Sequence, residues 1–219
     1  MDVVLNDDEV RVLGCMIEKE LSTPDYYPLS LNALTNACNQ KSNRDPLLSL
    51  EETDVVRAVD SLRFNQLVVL SSDGGRVPKY RHILSERMRL SPPELAVLGE
   101  LLLRGPQTLG ELRGRTERMH SFTDIAAVDS VLEELMARTP PLLTRLPRQP
   151  GRKEPRYAHL FAGEPVQSDV EHSSYPEMAQ EKVLAGNERM LKLEEQVTSL
   201  TEEVAELRRM ITDLKEQLE

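Results

Sequence analysis

The sequence predicts a mainly helical α+β protein, with two tandem winged helix-turn-helix domains and a C-terminal coiled-coil helix. Three observations lead to this prediction: a repeated pattern of three helices and a β-hairpin, an unbroken heptad repeat near the end, and a polar stretch between them. We place the domains at 1–88 and 89–163, a polar linker at 164–181 and the coiled-coil helix at 182–219.

Three matched segments in the same order indicate that the chain contains two copies of one unit. The pairs are "DEVRVLG" and "PELAVLG", "PLSLNAL" and "PQTLGEL", and "GRVPKYRH" and "GRKEPRYAH". Each copy predicts helix, helix, helix and hairpin, which is the order of a winged helix-turn-helix. Two unrelated helical bundles are the alternative, but the matched turn residues favour a repeat.

The first unit is expected to begin with a helix that Asn6 and Glu9 can cap. Its inward face carries Val10, Leu13, Ile17 and Leu21. Ser30 is placed to cap a short second helix that ends at Cys38. The segment 49–52, "SLEE", predicts a capping box that opens the third helix. The hairpin follows as "LVVL", a turn at "SSDGGR", and "VPKYRH".

The second unit predicts helices over 94–104, 109–119 and 123–138. Ser91 is a predicted N-cap, followed by proline and by Glu94 at the third helical position. The strands "LLTRL" and "RYAHLF" close this unit around the turn "PRQPGRK".

A strict heptad pattern marks the last part of the chain. β-Branched residues at several a positions and leucine at every d position favour a parallel two-stranded coiled coil. We therefore predict a homodimer, with the stripe folding back onto its own chain as the alternative. The predicted dimerisation residues are Leu193, Val197, Leu200, Val204, Leu207, Ile211, Leu214 and Leu218.

Composition points to the cytoplasm and away from membranes. There are two cysteines, Cys15 and Cys38, and no CxxC motif, which favours a reducing compartment. The sequence lacks the long apolar run of a membrane span, and its start lacks the basic and apolar regions of a signal peptide. Cys38 follows the apolar face of its helix and is expected to be a buried, inert thiol, whereas Cys15 is less clearly placed.

Three segments together resemble the YceH family of bacterial proteins, whose function is uncharacterised. They are "TPDYYPLSLN", "ACNQKSNRDP" and "LLLRGPQTLGELRGR", and the resemblance covers about 8–163. It implies a tandem winged-helix fold and a bacterial, cytoplasmic protein. It supplies no catalytic residues.

The sequence offers no recognisable catalytic or cofactor-binding pattern. The motifs of P-loops, zinc peptidases, serine hydrolases and dinucleotide-binding folds are missing from it. The four histidines are far apart, and His82 and His159 occupy equivalent places in the two return strands, so we interpret both as structural. We expect a protein that is not an enzyme and holds no cofactor or metal.

The net charge of −10 argues against general coating of nucleic acid, but residues 89–163 carry 11 basic and 9 acidic side chains. The third helices are acidic, whereas the bases lie on the wings and on the second unit's middle helix. We expect any contact with double-stranded DNA to be made there, through phosphates. A purely solvated hairpin tip is the alternative for each wing. The candidate residues are Arg148, Arg152, Lys153, Arg156, Arg76, Lys79, Arg81, Arg113, Arg115 and Arg118.

The first half of the polar stretch at 36–46, "NACNQKSNRDP", is expected to end the middle helix, and its second half lies in a corner five residues longer than its counterpart in the second unit. Because the second unit manages without this length, we consider a binding loop with Gln40, Lys41 and Arg44 as nucleic-acid contacts. A structural corner remains the alternative, since Asn and Ser commonly cap helices and close turns.

Regulatory DNA association through the basic wings and middle helices is the first functional expectation. The alternative is an adaptor that binds other proteins through its winged-helix domains and its dimerising coil, without nucleic acid.

Overall fold

The first helix, α1 (Asp7–Ser22), begins where its sequence predicts, because Asn6 and Glu9 form a reciprocal capping box. The computed structural model describes residues 4–71, 77–148 and 154–165. Most of the predicted linker, the whole predicted coiled-coil helix and all of its dimerisation residues lie outside the described residues.

The first half of the chain contains three main helices and a small antiparallel sheet. Strand β1 pairs with β3, which pairs in turn with β2; Leu29 lies opposite Tyr80, and Val68 lies opposite His82. After α1 and a short 3-10 helix at Pro24–Tyr26, the elements are β1 (Leu29–Ser30), α2 (Leu31–Cys38), α3 (Glu52–Phe64), β2 (Val68–Leu70) and β3 (Lys79–His82).

The second half repeats this order after a short connecting helix. Strands β4 and β5 are antiparallel, and an isolated bridge between Gln107 and Tyr157 takes the place of β1. Both halves therefore read helix, strand or bridge, helix, helix, strand, strand. The elements are α4 (Leu84–Met88), α5 (Pro92–Arg104), α6 (Leu109–Thr116), α7 (Ile125–Ala137), β4 (Leu143–Arg145) and β5 (Tyr157–His159).

Helix caps explain most of these boundaries. The Ser30 side chain accepts from the Ala33 amide as predicted, and Glu94 accepts from the Ser91 amide at the start of α5. The predicted cap at 49–52 is wrong. Helix α3 begins at Glu52, and the carboxylate of Asp54 accepts from the Glu51 amide.

A side chain from the preceding corner explains this shift. The amide group of Asn39 donates to the Leu50 carbonyl and accepts from the Leu50 amide, at 2.9 and 2.8 Å. These two bonds hold Leu50 in the loop, so the helix starts two residues later.

The two halves share one hydrophobic core, in which α1 packs directly against α5. Two glycines allow the close approach. A Cβ at Gly99 would lie 2.7 Å from the Cγ2 of Ile17, and one at Gly14 would lie 3.0 Å from the Cβ of Leu102. The described residues all belong to one compact unit. They form a mixed α+β fold, as predicted, with seven α-helices and two small antiparallel sheets among the described residues.

None of the helices in the described part of the chain combines the length and the apolar character needed to cross a bilayer.

Candidate functional site

The long corner between α2 and α3 contacts the second half of the protein. The Asp45 amide donates to the Leu103 carbonyl near the end of α5, at 3.0 Å. The Asn43 side chain accepts from Nη2 of Arg104, also at 3.0 Å, and Asn43 has the left-handed backbone that asparagine tolerates. The extra length of this corner therefore bridges the two halves.

Arg44 lies inside the protein, with 5 % of its surface exposed. Its Nη2 is 2.5 Å from Oε2 of Glu18, its Nη1 is 3.2 Å from Oε1, and it also donates to the Ala37 carbonyl. Gln40 accepts from both Arg44 and Lys19. The expectation that Arg44 contacts nucleic acid does not fit this burial, because its guanidinium is already bound by protein acceptors. Lys41, by contrast, is exposed.

Glu18 also binds a residue from the second half. Arg118 contacts Glu18 through Nη1, and its Nη2 lies 3.0 Å from Oε2 of Glu100. The other oxygen of Glu100, Oε1, lies 3.1 Å from Nε of Arg104. We call Glu18, Arg44, Glu100, Arg104 and Arg118 the charge cluster. The predicted DNA contact Arg118 is thus engaged in joining the two halves.

Glu100 is fully buried within the charge cluster. Burial raises the pKa of Glu100 to about 7, although the charges of Arg104 and Arg115 oppose the shift. Sequence reasoning missed Glu18 and Glu100. Their signal is an acidic residue within an otherwise apolar helix face, such as Glu100 in "VLGELLLR".

Within the described ranges, four of the other predicted basic residues also have protein partners. Arg113 donates to the Thr123 carbonyl, Arg115 to Gln107 and Glu111, and Arg156 to the Pro106 carbonyl. Arg81 pairs with Glu86 at 2.6 Å.

Three of the predicted basic side chains are exposed and stand apart from the rest: Lys41, Lys79 and Arg148. They make no hydrogen bond or ion pair with another residue of the described ranges. Arg76, Arg152 and Lys153 lie outside the described residues.

The outer faces of the third helices are acidic and partly apolar. In α3, Arg57 pairs with Asp54 and Arg63 with Asp60, so both bases are matched on their own helix. Phe64, the last residue of this helix, is 88 % exposed.

Helix α7 contains no lysine or arginine. It exposes Glu133 and Glu134, together with Ile125 at half of its surface. This outer face therefore offers carboxylates and apolar carbon without a compensating base of its own.

His82 is the last residue of β3 and is buried. Its Nδ1 accepts from the Leu84 amide, its Nε2 is 2.5 Å from the carboxylate of Glu20, and its backbone amide donates to the Tyr27 hydroxyl. The hydrogen bond at Nδ1 and the nearby carboxylate at Nε2 fit the structural interpretation.

His159 occupies the equivalent place in the second half of the protein. Burial lowers its pKa to about 4, against a weaker opposing effect of Asp7. Within the described ranges, no three His, Cys, Asp or Glu residues come together as a metal site would require.

Residues 5–152 match the family model described as "Protein of unknown function, DUF480". The chain belongs to the DUF480 family. This match covers the corner, the charge cluster and both third helices. The predicted resemblance to an uncharacterised bacterial family is confirmed at that level.

Relatives of this DUF480 protein extend the similarity beyond the matched region. A UPF0502 protein of Geotalea uraniireducens (strain Rf4) is 72 % identical over 194 residues, 89 % of each chain. One of Geotalea daltonii is 71 % identical over 194 residues, 89 % of this chain and 88 % of the relative. A UPF0502 protein of Citrifermentans bemidjiense is 48 % identical over 201 residues, 89 % of each chain.

Proposed function

We propose that this DUF480 protein is a non-catalytic adaptor that binds other proteins through two tandem winged-helix domains. The order of helices and strands in each half supports the winged-helix assignment. The domains would act as a dimer in the cytoplasm, joined by the C-terminal heptad segment. We also propose that the protein is a member of the YceH family, which its sequence resembles.

The outer face of α7 carries the proposal. In a DNA-binding winged helix, the third helix normally enters the major groove beside the phosphates. Helix α7 has three carboxylates, Asp129, Glu133 and Glu134, and no base. Such a face repels phosphates, whereas a basic and partly apolar protein surface would complement it.

Charge reversal on this face tests the proposal. Full-length protein with Glu133→Lys and Glu134→Lys is used as bait beside wild type, and bound proteins are identified after stringent washing. The control reverses two exposed acids elsewhere, Asp25→Lys and Glu117→Lys. We expect a partner retained by wild type and by the control but lost from the α7 variant.

Retention of every partner by the α7 variant would contradict this assignment of the surface. If wild type itself retains no protein, the adaptor proposal fails.

DNA association is the second candidate, favoured by the exposed and unpaired Lys79 and Arg148 on the two hairpins. Phosphate contacts of this kind would be sequence-independent and strongly salt-dependent. Binding of the full-length protein to random duplex DNA is measured from low to physiological salt. The four bases of the second wing are then changed to Ala, with Arg57→Ala as a control. The wing bases are Arg148, Arg152, Lys153 and Arg156.

The DNA candidate predicts salt-sensitive binding that the wing variant weakens and the control does not. An absence of binding at every salt concentration below physiological rules it out. Binding that survives the wing change overturns only the assignment to that wing.

A further inference from the structure

Buried carboxylates outnumber buried guanidinium groups in the described part of the protein. Glu9 and Glu94 each accept a hydrogen bond from a backbone amide at a helix start, and Glu18 pairs with the equally buried Arg44. Glu100 differs from these three, because neither of its cationic partners is fully buried. The buried charged residues are Glu9, Glu18, Glu94 and Glu100 against Arg11 and Arg44.

The two oxygens of the Glu100 carboxylate have unequal partners. Oε2 accepts a hydrogen bond from Nη2 of Arg118 at 3.0 Å. Oε1 lies 3.1 Å from Nε of Arg104, yet neither of these two buried atoms has a hydrogen-bond partner among the described residues. One side of the carboxylate is therefore buried without the hydrogen bond that would stabilise its charge.

The two partner arginines reach water, whereas Glu100 does not. Their side chains are 20 % exposed in Arg104 and 28 % exposed in Arg118, against 0 % in Glu100. Water can therefore solvate both guanidinium groups when the carboxylate is neutral, but it cannot solvate the carboxylate when it is charged. This asymmetry favours the protonated form of Glu100, in agreement with the raised pKa described above.

Other titratable groups lie around Glu100 on each neighbouring element. Arg115 on α6 and Arg44 in the corner favour its charge, as Arg104 does, but burial outweighs them. Helix α1 contributes Glu18, which shares Arg118 with Glu100. It also contributes Cys15, which lies near Arg118 and is fully buried, as is Cys38, whose burial the sequence predicted.

The corner between α2 and α3 closes over this end of α5. The Asp45 amide donates to the Leu103 carbonyl, and the Asn43 side chain accepts from Arg104. We call these two contacts the junction. Because Arg104 contacts both Asn43 and Glu100, opening of the junction would release Arg104 and let water reach Glu100.

We propose that Glu100 makes the junction sensitive to pH, so that the junction is closed while Glu100 is protonated and loosens when Glu100 ionises. An ionised carboxylate gains more from water than a neutral carboxyl group does, so ionisation favours the open form. This inference is independent of the proposed adaptor function. It rests on the complete burial of Glu100, its unsatisfied oxygen and its link to the corner through Arg104.

The sign and size of the effect follow from proton linkage. In the open form Glu100 has the ordinary glutamate pKa of 4.5, whereas in the closed form its pKa is about 7. The closed form therefore binds the proton more tightly, and its advantage is lost as pH rises through 7. Between pH 6 and pH 8 the opening equilibrium should rise about tenfold.

Hydrogen exchange at the Asp45 amide reports the opening of the junction. Exchange is measured in the full-length protein at pH 6 and pH 8 and is corrected for the intrinsic pH dependence of amide exchange. We expect the opening equilibrium of wild type to rise about tenfold, and that of Glu100→Gln, which cannot ionise, to stay constant. The control Glu133→Gln, which changes an exposed acid of α7, should respond as wild type does.

The titration of Glu100 itself is followed in wild type by carbon NMR of labelled glutamate carboxyl groups. We expect one carboxyl signal to titrate near pH 7 and to be missing from the spectrum of Glu100→Gln. This measurement separates the ionisation of Glu100 from the effect of other groups on the junction.

Three results would overturn the proposal. The opening equilibrium of wild type could stay constant or fall from pH 6 to pH 8. Wild type and Glu100→Gln could respond to pH equally. Every glutamate carboxyl of wild type could titrate below about pH 6, close to the ordinary range. The first and third results need only wild type, so they decide the matter even if Glu100→Gln fails to fold.

Discussion

Glu18 is a single buried carboxylate on which two arginines from distant parts of the chain converge. Its side chain is 1 % exposed and contacts Arg44 from the corner and Arg118 from the second half. Removing its charge would leave the buried guanidinium of Arg44 without an anion, whereas Arg118 would keep Glu100 as a partner. The cost of breaking a buried pair in this way is about 3 kcal/mol or more.

We therefore predict that Glu18→Gln lowers the free energy of unfolding by about 3 kcal/mol, measured by urea denaturation at neutral pH. Asp60→Asn is the matched control, because Asp60 pairs with Arg63 on the exposed face of α3. The control should cost less than about 1 kcal/mol. Equal effects of the two changes would show that the charge cluster contributes no more than a surface pair.

The buried His159 makes the stability of the protein depend on pH. The pKa of this histidine is 6.5 in the unfolded chain and about 4 in the folded protein, so the folded protein takes up the proton only at lower pH. The unfolded state therefore binds more protons between these values, and the contribution of His159 to stability is lost as pH falls from 6.5 to 4.

A non-titrating replacement isolates this effect. We expect the stability of wild type to fall relative to that of His159→Phe as pH is lowered from 7 to 5, as measured by urea denaturation at each pH. A constant difference between the two proteins across this range would contradict the assignment.

Residue roles of this kind were the hardest part to predict. Arg44 stands in a polar stretch between two helices, and nothing local in "QKSNRDP" distinguishes a surface base from a buried one. Its burial depends on Glu18, which lies 26 residues away, and the cluster also needs Arg118, 100 residues from Glu18. The same reasoning explains why Cys15 was left unplaced.

At the scale of the elements, the contact between α1 and α5 depends on two glycines. A methyl group at Gly99 would meet Ile17 at 2.7 Å, so helix and core would have to shift. We predict that Gly99→Ala destabilises the protein by about 1–3 kcal/mol. Thermal unfolding followed by circular dichroism measures this.

Gly114, in the exposed part of α6, is the matched control, since a Cβ there meets nothing within 4 Å. Gly114→Ala should stabilise the protein by about 0.5–1 kcal/mol through better helix propensity. If both alanines stabilise, α1 and α5 are not as closely packed as the structure indicates.

Element boundaries were predictable where their causes are local. Asn6, Ser30 and Ser91 cap helices with residues only three positions away, so their patterns were visible in the sequence. The start of α3 was not predictable, because it depends on Asn39, eleven residues from Leu50. The short helix α4 has no marked apolar period and was not predicted.

At the scale of the whole molecule, the heptad segment predicts a dimer. We expect full-length protein to sediment as a dimer and Leu200→Asp with Leu207→Asp to sediment as a monomer, since a charge at d removes the apolar seam. Glu202→Gln, at an outward position of the same heptads, is the control. A monomeric wild type would favour the alternative, in which the stripe covers its own chain.

The structure also changes the balance between the two functional candidates. The sequence predicted a set of basic residues that would contact DNA. In the structure, Arg44 and Arg118 pair with buried glutamates, and several others donate to neighbouring acceptors. Sequence charge alone could not separate these roles, because each depends on partners in the other half or in another element. The acids of α7 were already evident in the sequence. Their exposure on the outer face of the helix now favours the adaptor over DNA association.

The shared core has a consequence for synthesis on the ribosome. Helix α1 is made first, yet the face that carries Gly14 and Ile17 is covered by α5, which emerges only after residue 104. The hydrogen bond from the Leu5 amide to the Phe161 carbonyl forms later still, because residue 161 is made near the end of this region. The nascent first half therefore carries an uncovered apolar helix face through much of translation, which makes it a natural substrate for chaperones.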